Sequence, residues 1–207
     1  MRRQFITPAA LAMALMLVPG AIGIRILRAD TPQESTGKTS TSDARTSDPA
    51  RIERGAYLVR TMMCNDCHTP WKMGPRGPEP DMSRALTGHP ADVVVTPPPK
   101  MPDGSSWVTM FNNTNTAFAG AWGVSFSANL TPDPETGLGK YTEEMFMAAL
   151  KTGRHQGKGR PILPPMPWPF IGTLNDEDLK SVYAYLRSLK PVRNRVPAPI
   201  DPPEAGR

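Results

Sequence analysis

The sequence contains few cysteines, histidines and aromatic residues. It has only two cysteines and three histidines in 207 residues, and aromatic residues make up 7%. Two cysteines allow at most one disulfide, which excludes a scaffold held together by several disulfides.

The chain also lacks a general excess of positive charge. Its formal net charge of +5 comes mainly from residues 1–29, which contain four arginines and no acidic residue. The remaining residues include 20 basic and 19 acidic side chains. A nucleic-acid-binding protein needs a basic surface on its folded part, so we expect no nucleic-acid partner.

The first 29 residues are typical of an export signal or a membrane anchor. Two arginines directly after Met1 precede an apolar stretch, Phe5–Ile24. Its unbroken centre, Ala9–Val18, has the length of a signal-peptide core, whereas the full stretch is about long enough to cross a bilayer. Both alternatives place the rest of the chain on the periplasmic side of the cytoplasmic membrane. Residues 30–49, rich in Ser and Thr, predict a flexible linker.

Residues 50–190 have the composition of a single domain with a small core. Proline is abundant, with 25 residues in the chain, or roughly twice the average usage. Residue periodicity and end signals predict helices at 49–63, 142–153 and 175–190. The stretch 69–139 shows no sustained periodicity and predicts a long proline- and glycine-rich loop, so the predicted fold class is all-α. Residues 191–207 predict an extended, proline-rich tail.

The first predicted helix leads into Cys64-Asn65-Asp66-Cys67-His68, a C-x-x-C-H motif. This spacing lets two thiols add to the two vinyl groups of one porphyrin while the histidine binds the iron. A redox dithiol would require a βαβ context, which the segment lacks. A structural zinc site would need two further ligands, for which only His89 and His155 remain as histidines. We therefore predict one covalent haem c bound by Cys64, Cys67 and His68.

The second axial ligand is predicted to be Met166. Four prolines lie within three residues of it, and they restrict the backbone around a soft thioether ligand. Met101 and Met110 are rivals in the long loop, and His155 would give bis-histidine ligation. We predict that Arg160 pairs with a haem propionate.

These features resemble class I c-type cytochromes. The order of a Gly55-containing helix, the C-x-x-C-H motif, a methionine loop and a C-terminal helix with Tyr183 matches that family. The stretches 127–133 (Ser-Ala-Asn-Leu-Thr-Pro-Asp) and 136–139 (Thr-Gly-Leu-Gly) resemble single-haem cytochrome subunits associated with membrane-bound dehydrogenases.

The resemblance implies a cytochrome c-like all-α fold, with the first and last helices in close contact at Gly55. It also implies a proline carbonyl that orients the proximal histidine, for which Pro70, Pro75 and Pro78 compete. The stretch from about 71 to 125 is longer than a minimal cytochrome needs, and no role is assigned to it.

The expected function is one-electron transfer without substrate chemistry. The partners would be redox proteins: a dehydrogenase as donor and an oxidase or another cytochrome as acceptor, with the carrier free or part of an oxidoreductase complex. The alternative is a haem enzyme or sensor with an open distal site, acting on peroxide or binding a small gas.

Overall fold

The computed structural model describes residues 47–95, 104 and 106–202. The predicted signal or anchor, nearly all of the predicted linker and the rival ligand Met101 lie outside these residues. Within them, no helix has both the length and the apolar character needed to cross a membrane.

The prediction of an all-α fold is wrong, because two antiparallel sheets lie in the stretch that was expected to be a loop. Strands β1 and β2 form the first sheet, and strands β3, β4 and β5 form the second in that order. The strand bounds are β1 Trp71–Gly74, β2 Gly77–Pro80, β3 Thr109–Phe111, β4 Ala117–Gly120 and β5 Gly123–Phe126. These strands are only three or four residues long, too short for an alternating pattern of apolar residues to be recognised.

The three predicted helices are confirmed. The helices of the described residues are α1 Pro49–Thr61, α2 Cys64–His68, α3 Glu143–Thr152, α4 Trp168–Ile171 and α5 Asp176–Ser188. The side chains of Asp48, Thr142 and Asn175 cap the longer ones by accepting hydrogen bonds from backbone N–H groups. Helix α3 ends at Gly153, whose φ of 66° is left-handed. End signals of this kind are local, which is why the sequence reveals them.

Helices α1 and α5 cross at Gly55, as the resemblance implied. A Cβ atom at this position would overlap the backbone carbonyl of Ser181 and press on the side chain of Tyr185. The Nε of Arg54 donates to a carboxylate oxygen of Asp178 at 2.8 Å, and the Nη2 of Arg51 lies 2.7 Å from a carboxylate oxygen of Glu177. The two helices therefore approach to backbone contact, and ion pairs flank the crossing.

The hydrophobic core lies between α1, α3 and α5. Its buried members are Leu58, Val59, Leu86, Leu138, Phe146, Leu150, Leu179, Val182, Tyr183 and Leu186. Cys64 and Met166 are partly buried and pack against this same cluster. One core therefore supports both the C-x-x-C-H motif and the methionine loop.

Residues 191–202 form an extended segment along the domain, which we call the C-terminal strap. Its Ile200 pairs with Val124 of β5 through two backbone hydrogen bonds of 2.7 and 2.9 Å. The buried Asn194 donates through Nδ2 to the carbonyls of Thr87 and His89 at 2.7 and 2.8 Å. Its Oδ1 accepts from the backbone N–H of Ala91 at 2.9 Å. The strap thus binds residues 87–91 through Asn194 and strand β5 through Ile200.

Replacing Asn194 with alanine is expected to lower the free energy of unfolding by about 3 kcal/mol, because three backbone groups lose their partner. Urea unfolding of the purified protein measures this loss. Arg195→Ala, at the exposed neighbouring position, is the control and should change stability by less than about 0.5 kcal/mol. Equal stability of the two variants would contradict the structural role of Asn194.

Candidate haem-binding site

The C-x-x-C-H motif forms its own short helix, α2. Met63 separates it from α1 and adopts a left-handed conformation with φ of 58°. Cys64 and Cys67 are both half-buried, free thiols. Positions three apart lie on the same side of a helix, so the two sulfurs are placed to react with one ligand edge. Burial raises the pKa of the Cys64 thiol to about 11 and raises the pKa of Cys67 as well.

His68 is buried, and its Nδ1 lies 2.8 Å from the backbone carbonyl oxygen of Ala128. A carbonyl oxygen only accepts hydrogen bonds, so Nδ1 carries the proton and the lone pair of Nε2 is left for a metal. Burial lowers the pKa of His68, which favours this neutral, metal-binding form. The expectation of an orienting proline carbonyl from Pro70, Pro75 or Pro78 is therefore wrong.

The Asn-Leu-Thr-Pro-Asp motif keeps the Ala128 carbonyl in place. Asn129 Oδ1 accepts from the backbone N–H and the hydroxyl of Thr131 at 3.0 and 2.8 Å, while its Nδ2 donates to the Val192 carbonyl at 2.8 Å. On the other side, Gly88 donates its N–H to the carbonyl of His68 at 2.8 Å. A side chain at Gly88 would overlap the Ala128 backbone. Sequence reasoning recognised this motif but missed its function, since the group that contacts His68 is a backbone atom.

Three residues of the stretch 71–125, Trp71, Leu86 and Asn115, bind the C-x-x-C-H helix or the residue that follows it. Trp71 Nε1 and Asn115 Nδ2 both donate to the backbone carbonyl of Asp66, each at 3.0 Å. The hydroxyl of Thr69 donates to Asn65 Oδ1 at 2.9 Å and accepts from the N–H of Leu86 at 3.0 Å. Carbonyls near the end of a helix need partners outside it, and this stretch supplies them.

Strand β5 holds the methionine loop. The hydroxyl of Ser125 donates to the carbonyl of Pro164 at 2.5 Å, two residues before the half-buried Met166. Farther along the same chain segment, Ala128 contacts His68. The segment from Ser125 to Ala128 therefore contacts both the C-x-x-C-H helix and the loop that carries the predicted second ligand. The rival Met110 lies in β3, opposite Ala119 of β4.

The hydrogen-bond partners of the remaining candidate residues lie outside α2. Arg160 is exposed, and its Nη1 donates to the carbonyl of Pro161 at 3.3 Å, so its pairing with a propionate stays a prediction. His155 lies in the 3₁₀ turn His155–Gly157. Both ring nitrogens of His89 have protein partners, Thr116 Oγ1 at 2.9 Å and the Val93 carbonyl at 3.0 Å. Among the described residues, no three His, Cys, Asp or Glu side chains form a group that could hold a metal ion.

Burial lowers the pKa of His89 and makes the folded state sensitive to acid. The unfolded chain binds a proton at this histidine below a pH of about 6.5, whereas the folded chain binds it only at a lower pH. Stability should therefore fall as the pH drops through 6.5, by at most about 1.4 kcal/mol per pH unit for this proton. Urea unfolding between pH 5 and 8 should show a smaller slope for His89→Gln, and an unchanged slope would contradict this assignment.

Sequence comparisons relate this chain to cytochrome subunits of dehydrogenases. No family profile matches the chain. It is 31% identical over 163 residues to the cytochrome c subunit of alcohol dehydrogenase (quinone) from Gluconobacter oxydans, covering 75% of this chain and 25% of that protein. It is 40% identical over 77 residues to the fructose dehydrogenase cytochrome subunit of Gluconobacter japonicus, covering 37% of this chain and 16% of the relative.

A third relative is the gluconate 2-dehydrogenase cytochrome c subunit of Pantoea cypripedii, 40% identical over 63 residues, or 30% of this chain and 14% of the relative. The chain thus spans a quarter or less of the length of these three proteins. They are cytochrome subunits, which are electron-transfer rather than catalytic components, and they imply haem c as the cofactor. The chain is thus similar to the cytochrome subunits of dehydrogenases.

Proposed function

We propose that this chain transfers single electrons through one covalent haem c on the periplasmic side of the cytoplasmic membrane. The observation that carries the proposal is His68, held as a buried neutral imidazole by the Ala128 carbonyl next to two free thiols. When bound, the haem supplies reversible exchange between Fe(II) and Fe(III). Two cysteines allow attachment of one such group through two thioether bonds.

Each residue of the site has a separate role in this proposal. Cys64 and Cys67 fix the haem covalently, and His68 provides the proximal nitrogen. Met166 would provide a soft, neutral sulfur ligand, which would favour the reduced iron and raise the midpoint potential. The hydrogen bond to Ala128 would hold the His68 ring in one orientation, and a site that changes little on reduction suits a carrier.

The restraint of the methionine loop favours a carrier over the alternative haem enzyme or sensor. The hydrogen bond from Ser125 to Pro164 and the packing of Met166 against the core both restrain the methionine loop. A peroxidase-like or gas-binding protein needs an accessible sixth position with suitable polar groups. The restrained methionine loop supports the carrier.

The proposed partners are redox proteins. The named relatives belong to alcohol, fructose and gluconate dehydrogenases, so we propose a dehydrogenase as electron donor and an oxidase or second cytochrome as acceptor. An N-terminal signal or anchor in residues 1–29 would deliver the domain to the periplasm, either soluble or attached to the membrane.

The test is to produce the full chain in a host that attaches haem c and to determine its haem content and spectra. The expected result is one haem per chain, a His/Met charge-transfer band in the red for the oxidised protein, and slow binding of carbon monoxide to the reduced protein. Absence of that band together with rapid carbon monoxide or cyanide binding would overturn the carrier in favour of the haem enzyme or sensor. Co-purification of a stoichiometric dehydrogenase from the native host would identify the donor.

A further inference from the structure

The C-terminal strap binds both segments of the chain that contact His68. Gly88 donates its backbone N–H to the His68 carbonyl, and the His68 ring donates to the Ala128 carbonyl, each at 2.8 Å. The strap reaches the first segment through Asn194 and the second through Val192. Residues that follow α5 therefore link the two neighbours of the candidate proximal ligand to each other.

A closed set of hydrogen bonds holds Val192 next to the Ala128 peptide group. Asn129 Nδ2 donates to the Val192 carbonyl at 2.8 Å, Val192 donates its N–H to the hydroxyl of Thr131 at 3.1 Å, and that hydroxyl donates to Asn129 Oδ1 at 2.8 Å. The side chains of Asn129 and Thr131 are both buried, so they are shielded from water. Because a peptide unit is planar, the Ala128 carbonyl and the Asn129 nitrogen turn together. Fixing Asn129 therefore limits the direction in which this carbonyl points.

Asn194 fixes the other segment. Its Nδ2 donates to the carbonyls of Thr87 and His89, the residues on either side of Gly88, at 2.7 and 2.8 Å. The two segments also bond to each other directly, through two backbone hydrogen bonds of 2.9 Å that join residues 86 and 89 to residues 130 and 127. The strap thus adds a buried side-chain restraint to each of two segments that are already paired through their backbones.

We propose, on the basis of the proposed haem function, that the C-terminal strap positions the proximal ligand by fixing the Ala128 carbonyl against the His68 ring. An acceptor for the Nδ1 proton makes the other ring nitrogen a stronger electron donor, and a stronger donor favours the oxidised iron. The strap therefore keeps the midpoint potential lower than the same ligands would give without it. Asn129 and Thr131 are positioning residues, since they act on the iron ligand only through this carbonyl.

Thr131→Val tests this role in the haem-loaded full chain. It removes the hydroxyl that joins Asn129 to Val192 while nearly keeping the shape of the side chain. We expect a higher midpoint potential than in the wild type. We also expect the Nδ1 proton of His68 to exchange with solvent about tenfold faster in the reduced, diamagnetic protein, as for the loss of one hydrogen bond. Thr131→Ser keeps the hydroxyl and should return both values to those of the wild type.

Thr142→Val is the matched control, because it removes a hydroxyl that caps α3 by accepting from the N–H of Met145 at 3.2 Å. It should lower stability and leave the midpoint potential and the exchange of the His68 proton close to the wild-type values. A Thr131→Val protein that matches this control in both measurements would show that the direct bonds between the two segments suffice, and would overturn the proposal.

A measurement on the wild-type holoprotein needs no variant to fold. The N–H of Val192 and the Nδ1 proton of His68 should be protected from exchange to within about tenfold of each other, since one opening of the structure exposes both. A larger difference would show that the strap and the ring open separately, and would overturn the positioning role while leaving the haem site intact. A chain isolated without covalent haem would instead overturn the proposed function, and the positioning role with it.

Discussion

Replacing Met166 with alanine is expected to abolish the charge-transfer band in the red and to lower the midpoint potential. The thioether is a neutral ligand that favours Fe(II), and axial ligands account for much of the roughly 0.8 V over which haem potentials vary. The variant should also bind carbon monoxide rapidly in its reduced form, because the sixth position becomes accessible. Redox titration and flash photolysis of the purified holoprotein measure these changes.

Met147→Ala is the matched control for this prediction. Met147 is partly buried, packs against the same core cluster as Met166 and lies in α3. Its removal should lower stability, since a buried methionine contributes packing, but it should leave the band and the potential close to those of the wild type. If the Met166 variant retains the band, another residue is the sixth ligand. Met110→Ala then tests the rival in β3.

Among substitutions that add one methyl group to a helix, Gly55→Ala is expected to cause the largest loss of stability. The new Cβ would overlap the Ser181 carbonyl and meet the Tyr185 side chain, so α1 and α5 would have to separate. Overpacking of this kind typically costs about 3 kcal/mol or less, and occasionally more. Here the overlapping atom is backbone, which cannot rotate away, so we expect at least about 3 kcal/mol after the gain in helix propensity.

The measurement is urea unfolding of the haem-loaded protein, followed by helical circular dichroism. Glu53→Ala, an exposed position in the same helix, should change the free energy of unfolding by less than about 0.5 kcal/mol. Alanine favours helices over glycine by about 1 kcal/mol. A stabilised Gly55→Ala protein would therefore show that the two helices do not touch at this residue.

The helices and the candidate haem-binding residues were predictable because their signals are local. The Asn175 cap with the acidic residues that follow it marks the start of α5, and the five-residue spacing of Cys64 to His68 specifies its own chemistry. The strands were not predictable from residues such as Gly77 and Pro78, which favour turns and are depleted in sheets.

The partner of His68 was hidden for a different reason. The atom that orients it belongs to the backbone of Ala128, 60 residues away. Any residue at this position would supply the same carbonyl, so the residue type gives no signal. Likewise, nothing in the composition of residues 191–202 distinguishes a loose tail from a strap. Only the pairing of Asn194 with Thr87, His89 and Ala91 reveals that this segment is part of the folded domain.

The long sequence separation between contacting residues has a consequence for how fast the protein folds. Arg51 meets Glu177 across 126 positions, and Asn194 meets Thr87 across 107. Contacts of such sequence separation require large loops to close before they stabilise anything, so the protein should fold more slowly than a helical bundle of equal size. During synthesis the cysteines emerge before α5 and the strap, which complete the domain. Covalent attachment of the cofactor can therefore take place before α5 and the strap complete the domain around the cysteine motif.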